Sequence, residues 1–157
     1  MTNRKDDNEY LSKEGFERLK LELSNLKNIK RKEIAARLEY AKSLGDLSEN
    51  AEYAEAKDEQ ISLESRIMEL EDVLNRAVLI SHVSSNSIDL GSSVKLKKSS
   101  GEEEIYYIVG SEEADPGSKK ISNESPLGQA LLGKKRGDQI AVYTPKGEMR
   151  YDILEIS

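Results

Sequence analysis

The sequence predicts an α+β protein in two parts: an antiparallel coiled-coil helical hairpin over residues 1–77 and a small α+β domain over residues 78–157. Three observations carry this. Apolar residues recur at helical spacing in the first half and at strand spacing in the second. From Lys13 to Ala77 there is no proline, and Gly45 is the only glycine after Gly15. Charge changes sign at Gly45, with nine basic and five acidic residues from Lys13 to Leu44 against three and ten from Asp46 to Ala77.

The first helix has a start signal in Leu11-Ser12-Lys13-Glu14-Gly15-Phe16. Ser12 suits the cap, Glu14 the first turn, and Leu11 and Phe16 a hydrophobic staple. Phe16, Leu19, Leu23 and Leu26 then step by three and four, and Ile34, Leu38 and Ala41 continue the stripe after a slip in register. The second arm carries Leu63, Ile67, Leu70, Leu74 and Ala77 at steps of four, three, four and three, a heptad seam. Two helices with narrow stripes and one break between them bury those stripes by folding back on each other. A basic arm beside an acidic one sets partner and orientation.

Past the boundary the period changes to two. Val94 to Lys97 alternates, Ile105 to Val109 is β-branched and aromatic, and Ile140 to Thr144 with Glu148 to Ile156 flanks Pro145-Lys146-Gly147 as a hairpin. Ser125-Pro126 opens a short helix, Leu127 to Leu132, that Gly133 can end. Apolar residues make up 36% of the chain and charged residues 34%, too little apolar material for one large core. The net charge of −6 does not favour naked nucleic acid. Cysteine is absent, which excludes disulfides and thiolate chemistry. No apolar run is long enough to span a membrane, and Met1 to Asn8 lacks the apolar stretch of a signal peptide, so a cytoplasmic location is expected.

Chemistry points to the turn, Gly45-Asp46-Leu47-Ser48-Glu49-Asn50-Ala51-Glu52-Tyr53. Asp46 and Glu49 have the spacing of a capping box, which would make them a helix start and nothing more. The same placement sets two hard oxygen ligands at the far end of a helix that is roughly 45 Å long at ~1.5 Å per residue. Two carboxylates alone are too few to hold Mg²⁺, but they can complete a metal site that another protein supplies. Both readings stand on the sequence.

This nine-residue string resembles the tip signature of the bacterial Gre transcript-cleavage (transcription elongation) factors, in their GreA type. Leu11 to Leu26, Glu113-Ala114-Asp115, Ile121-Ser122, Ser125-Pro126-Leu127 and Thr144-Pro145-Lys146-Gly147-Glu148 resemble the same family in order along the chain. The resemblance implies a factor that enters the secondary channel of bacterial RNA polymerase, where the RNA 3′ end of a backtracked complex is extruded. It implies that Asp46 and Glu49 help hold a second Mg²⁺ jointly with the polymerase and position water. The polymerase then cuts the RNA, and the factor is not itself an enzyme. It further implies an FKBP-like C-terminal domain docking at the channel rim through Ser122, Ser125 and Pro126.

Lys42, Lys57 and Arg37 are candidates for RNA contact near the tip, with pairing across the coil as the alternative. Tyr40 and Tyr53 lie about one turn either side of the tip, where packing against each other or Leu44 is expected rather than base stacking. His82, the only histidine, reads as structural. An inhibitory channel-binding relative would carry a rearranged, more acid-rich tip. A prolyl isomerase would need more aromatics than Tyr106, Tyr107, Tyr143 and Tyr151. A coiled-coil adaptor would leave the tip string unexplained.

Overall fold

The computed structural model describes residues 8–46, 49–81 and 86–157. His82 and Leu47 lie outside them. The chain forms two compact units, Phe16–Arg76 and a second in which the residues up to Gly15 join Ala77–Ser157.

The helical unit is built from α1 (Lys13–Asn25), a π-helical turn (Leu26–Lys30), α2 (Arg31–Ser43) and α3 (Ala51–Asn75). The π turn is the physical form of the register slip in the apolar stripe. Steps of three and four from Leu26 would next fall on positions 30, 33 and 37, whereas the apolar residues stand one later, at Ile34 and Leu38. Five-residue hydrogen-bonded rings absorb that one extra residue without ending the helix. Leu19, Leu38 and Ala41 of the first arm are buried with Ala56, Leu63, Ile67, Leu70 and Val73 of the second. Ala41 and Ala56 are fully buried, and side chains this small allow close approach of two helices at that end. Cross-arm ion pairs from Lys27 onward show the antiparallel sense, Lys27 with Glu71, Arg31 with Glu64 and Arg37 with Glu59, and Glu22 adds a further pair with Arg66. The expected end of the seam is corrected. Val73 is buried where Leu74 is only half-buried, and Ala77 lies in a strand because α3 stops at Asn75.

That strand, β2 (Ala77–Leu79), pairs in parallel with β1 (Glu9–Leu11). The segment before Phe16 therefore belongs with the C-terminal half, unlike a division at residue 77. Strands of three residues carry too little periodicity to be read in the sequence. The packing that fixes β1 is tight. A Cβ on Gly110 would lie 1.8 Å from the Tyr10 carbonyl oxygen, so only glycine lets the two backbones meet. Ser12 caps α1 as expected, accepting from the Gly15 N–H at 2.9 Å. Its own N–H and hydroxyl donate to the two carboxylate oxygens of Glu113, at 2.7 and 2.6 Å.

The rest of this unit comprises β3 (Ser93–Lys98), β4 (Glu103–Val109), β5 (Lys120–Ser122), α4 (Pro126–Leu131), β6 (Gln139–Thr144) and β7 (Gly147–Ile156). The sheet order is β5-β4-β3-β7-β6, antiparallel except for the β4–β5 pair. Val94, Leu96, Tyr106, Ile108, Ile140, Val142, Tyr151 and Ile153 supply its inner face, with Leu131 of α4 among them. A bulge between Lys95 and Leu96 shifts the β3–β7 register. Gly147 takes φ +114 to close the β6–β7 turn. The alternation of the strands predicts this face, and α+β is the architecture found. No helix among the described residues is long and apolar enough to cross a membrane.

One polar knot closes the sheet's inner edge. Glu104 accepts hydrogen bonds from Lys119 at 2.8 Å, Lys98 at 2.9 Å and the Tyr106 hydroxyl. The Lys119 ammonium also sits 5.4 Å from the centre of the Tyr106 ring. The bonds from Lys119, Tyr106 and Lys98 hold the Glu104 carboxyl down to about 2, from an ordinary 4.5. A carboxylate depressed by folding stabilises the protein above its unfolded pKa, and that stability is lost as pH falls from 4.5 through about 2. Glu104→Gln is therefore expected to flatten the acid limb of the stability curve in that window. Urea melts of both proteins between pH 5 and pH 2 check this, and parallel curves would remove Glu104 as the source.

Candidate functional site

The tip is shaped by one side chain that engages both arms. α2 ends with the Leu44 N–H on the Ala41 carbonyl at 3.2 Å, and Gly45 then takes φ +121, open to glycine and strained for other residues. Asn50 is the N-cap of α3, with extended backbone and its Oδ1 accepting from the Tyr53 N–H at 3.1 Å. Its Nδ2 reaches back to donate to the Ala41 carbonyl at 2.6 Å. A single amide thus satisfies an orphan donor at the start of one helix and gives a carbonyl near the end of the other its second hydrogen bond.

This overturns the capping-box reading of the two acids. α3 opens at Ala51, so Asp46 and Glu49 lie in the connection ahead of the cap, and both residues are exposed. Neither is the residue that caps α3. The signal for Asn50 was present, since asparagine directly before a helical run is among the best N-caps. The acid spacing of a capping box competes with that signal in the same turn.

The three basic candidates separate. The Arg37 guanidinium is engaged across the coil by Glu52 at 2.9 Å, Glu59 at 2.6 Å and Glu55 at 3.6 Å. Its hydrogen bonds to Glu52 and Glu59 hold it still more firmly protonated. Pairing, not exposure to a strand of RNA, is what the geometry gives Arg37. Lys42 is exposed, and the Lys57 ammonium donates to the Gln60 side chain at 3.0 Å. Lys57 follows the buried Ala56 as Glu64 follows Leu63 and Glu71 follows Leu70, so these three share one edge of α3. Glu71 and Glu64 meet Lys27 and Arg31, whereas at Lys57 the edge turns basic, and Lys42 directly follows the buried Ala41 on the opposite arm. Tyr40 and Leu44, whatever contact they make with each other, are 62% and 56% exposed. Tyr53 is half-buried.

The remaining candidates lie in the C-terminal unit, around the start of α4. Ser125 is its N-cap, accepting from the Gly128 N–H at 3.1 Å and donating to the Ser122 carbonyl at 2.7 Å. Ser122 accepts from the Glu124 N–H at 3.0 Å and lies 3.1 Å from the Ser111 hydroxyl. Pro126 is exposed at the first helical position, where its missing N–H costs nothing. A Cβ on Gly128 would lie 2.0 Å from the Ser122 carbonyl oxygen, which fixes this segment closely against the helix.

Asn50 provides the test of the tip's construction. Asn50→Asp keeps the cap but loses the donor to Ala41 and places a negative charge beside a carbonyl. Asn50→Ala loses both bonds and is expected to cost about 1–2 kcal/mol. Asp46→Asn, with the cap elsewhere, should change stability by only a few tenths of a kcal/mol. Thermal melts followed by helical circular dichroism check the order, and an Asn50→Ala protein as stable as the parent would refute the bridge.

Two family models match the chain. That described as transcription elongation factor, N-terminal, covers residues 9–79, and that described as transcription elongation factor, GreA/GreB, C-term, covers residues 83–157. Transcription elongation factor GreA of Clostridioides difficile (strain 630) is 51% identical over 149 residues, covering 93% of this chain and 94% of that protein. The GreA factors of Acetivibrio thermocellus and Geobacillus kaustophilus (strain HTA426) are each 49% identical over the same shares. Among solved structures, GreA factor homolog 1 (Gfh1) of Thermus thermophilus is 35% identical, covers 96% of this chain and 99% of that one, and superposes with a TM-score of 0.45. With both halves matched in order and about half the residues shared with GreA proteins along nearly their full length, this chain belongs to the GreA/GreB family of transcription elongation factors.

Proposed function

We propose that this protein inserts its helical tip into the secondary channel of bacterial RNA polymerase and stimulates the polymerase's own cleavage of backtracked RNA. The observation that carries this reading is the pair of exposed acids, Asp46 and Glu49, in a turn whose two ends are tied by Asn50. Because Asn50 supplies the cap, the acids are not needed to start α3. They are hard oxygen donors of the kind Mg²⁺ prefers, and two of them fall short of its octahedral set. That donor chemistry fits a second Mg²⁺ held jointly with the polymerase. Held there, the ion supplies Lewis-acid activation of a water and charge stabilisation at the scissile phosphate.

The chain's own contribution is positional. Asn50 ties the end of α2 to the start of α3, so the acids are carried to the RNA 3′ end on a fixed base. Asp46 supplies negative charge and Glu49 an acceptor that orients the attacking water. Lys42 and Lys57, both exposed near the tip, suit the phosphates of the extruded RNA. Arg37 serves the coil instead. Ser122, Ser125 and Pro126 form the docking segment for the channel rim, with Ser125 shaping α4 and Pro126 offering the exposed surface.

The deciding experiment uses a stalled, backtracked polymerase and reads the released RNA fragments, with a polymerase-free control. Asp46→Asn is expected to lower stimulated cleavage by about ten- to a thousandfold, or ~1.4–4 kcal/mol. The variant should still compete with the parent for polymerase, and raised Mg²⁺ should restore part of the rate. Glu49→Gln should act in the same direction. Near-parental cleavage by Asp46→Asn at limiting Mg²⁺ would sink the assignment. Docking is tested separately by Pro126→Glu, since a carboxylate in a helix's first turn is tolerated or favoured. Weaker polymerase binding with an unchanged melting temperature is the expected result, and unchanged binding would move the docking surface elsewhere.

A further inference from the structure

The tip region has two unlike sides. Residues two apart on a helix point to nearly opposite faces, whereas residues three or four apart share one. Lys42 therefore points away from Tyr40, which shares its face with Leu44 and with Arg37 one turn earlier. Tyr40 and Leu44 are large, apolar and mostly exposed there, 62% and 56%. Arg37 brings three carboxylates to the same side, Glu52, Glu55 and Glu59, around one guanidinium. An apolar patch rimmed by net negative charge repels a polyphosphate strand and suits a protein surface that is apolar and flanked by arginine or lysine. An exposed aromatic beside an aliphatic anchor is also the composition that concentrates binding energy at protein interfaces.

We propose that Tyr40 and Leu44 form an anchor that seats on such a basic-rimmed apolar surface of the polymerase, while RNA runs along the opposite side, past Lys42 and Lys57. This rests on the channel-entry reading above. It divides the tip region by partner: acids for the metal, one edge for RNA, the other face for protein.

The test compares binding and chemistry in the full-length protein. Tyr40→Gln/Leu44→Gln keeps helix-forming side chains at exposed positions, and Glu55→Lys reverses charge at the rim. Apparent affinity is measured by competition against labelled parent on polymerase without backtracked RNA. Maximal cleavage is measured at saturating factor on a backtracked complex. The anchor requires affinity on the RNA-free enzyme to fall about tenfold for the double variant. Glu55→Lys should weaken it in the same direction, and the saturated cleavage rate should stay within about twofold. Unchanged affinity with a lowered saturated rate would assign the patch to RNA and overturn the proposal, and so would no change in either. If the parent protein neither competes for polymerase nor stimulates cleavage, the channel-entry reading itself fails. If Asp46→Asn abolishes cleavage and the double variant binds like the parent, the anchor alone fails.

Discussion

What the tip can present depends on the antiparallel pairing of two arms whose apolar stripes are too narrow to be buried except against each other. Two stripes of aliphatic side chains leave the register of such a pair loosely specified, because leucine packs nearly as well one heptad along. The edges decide it. Arg66 is a basic residue on the acidic arm, and it meets Glu22, an acidic residue on the basic arm. A slip of one heptad in one direction would bring Arg66 into the place of Glu59, against Arg37. The opposite slip would set Glu59 against Glu22 and Lys57 against Arg31. Each pair is half-exposed and contributes little to stability, but like charges at these places penalise both errors.

Register matters because Asn50 acts over a short distance. Its bond to the Ala41 carbonyl exists only if the end of α2 and the start of α3 arrive together. The π turn upstream serves the same end. Without it, the stripe of the first arm would rotate away from the seam before reaching Leu38 and Ala41. Small buried alanines on both arms then permit close approach where the amide must span. The exposed acids are thus the last consequence of a chain of constraints that begins far from them.

The C-terminal unit obeys a different logic. Its core is the inner face of a five-stranded sheet, and its irregular segments are held by backbone contacts that only glycine permits, at Gly110 and Gly128. Glu113 and Ser12 join the loop after β4 to the first turn of α1 through two charge-assisted bonds. The same segment that begins the helices is therefore also a strand and an anchor of the sheet unit.

Heptads, alternation and a lone glycine determined the two helical arms, their antiparallel sense, the hairpin of β6 and β7, and the place of the acids, because each depends on spacing within a few residues. Tertiary structure alone decided what depends on partners distant in sequence. β1, β2 and β5 are too short to show a period and exist because a neighbour's backbone is there to pair with. Arg37 stands in the sequence between RNA contact and pairing across the coil, and becomes the centre of three glutamates only once the arms are in register. Tyr40 and Leu44 read as packing residues and stay exposed because the coil fills its seam with Leu38 and Ala41 instead. Asp46 and Glu49 have the spacing of a cap, but Asn50 caps α3 and its amide also reaches the other helix, which leaves the acids ahead of α3.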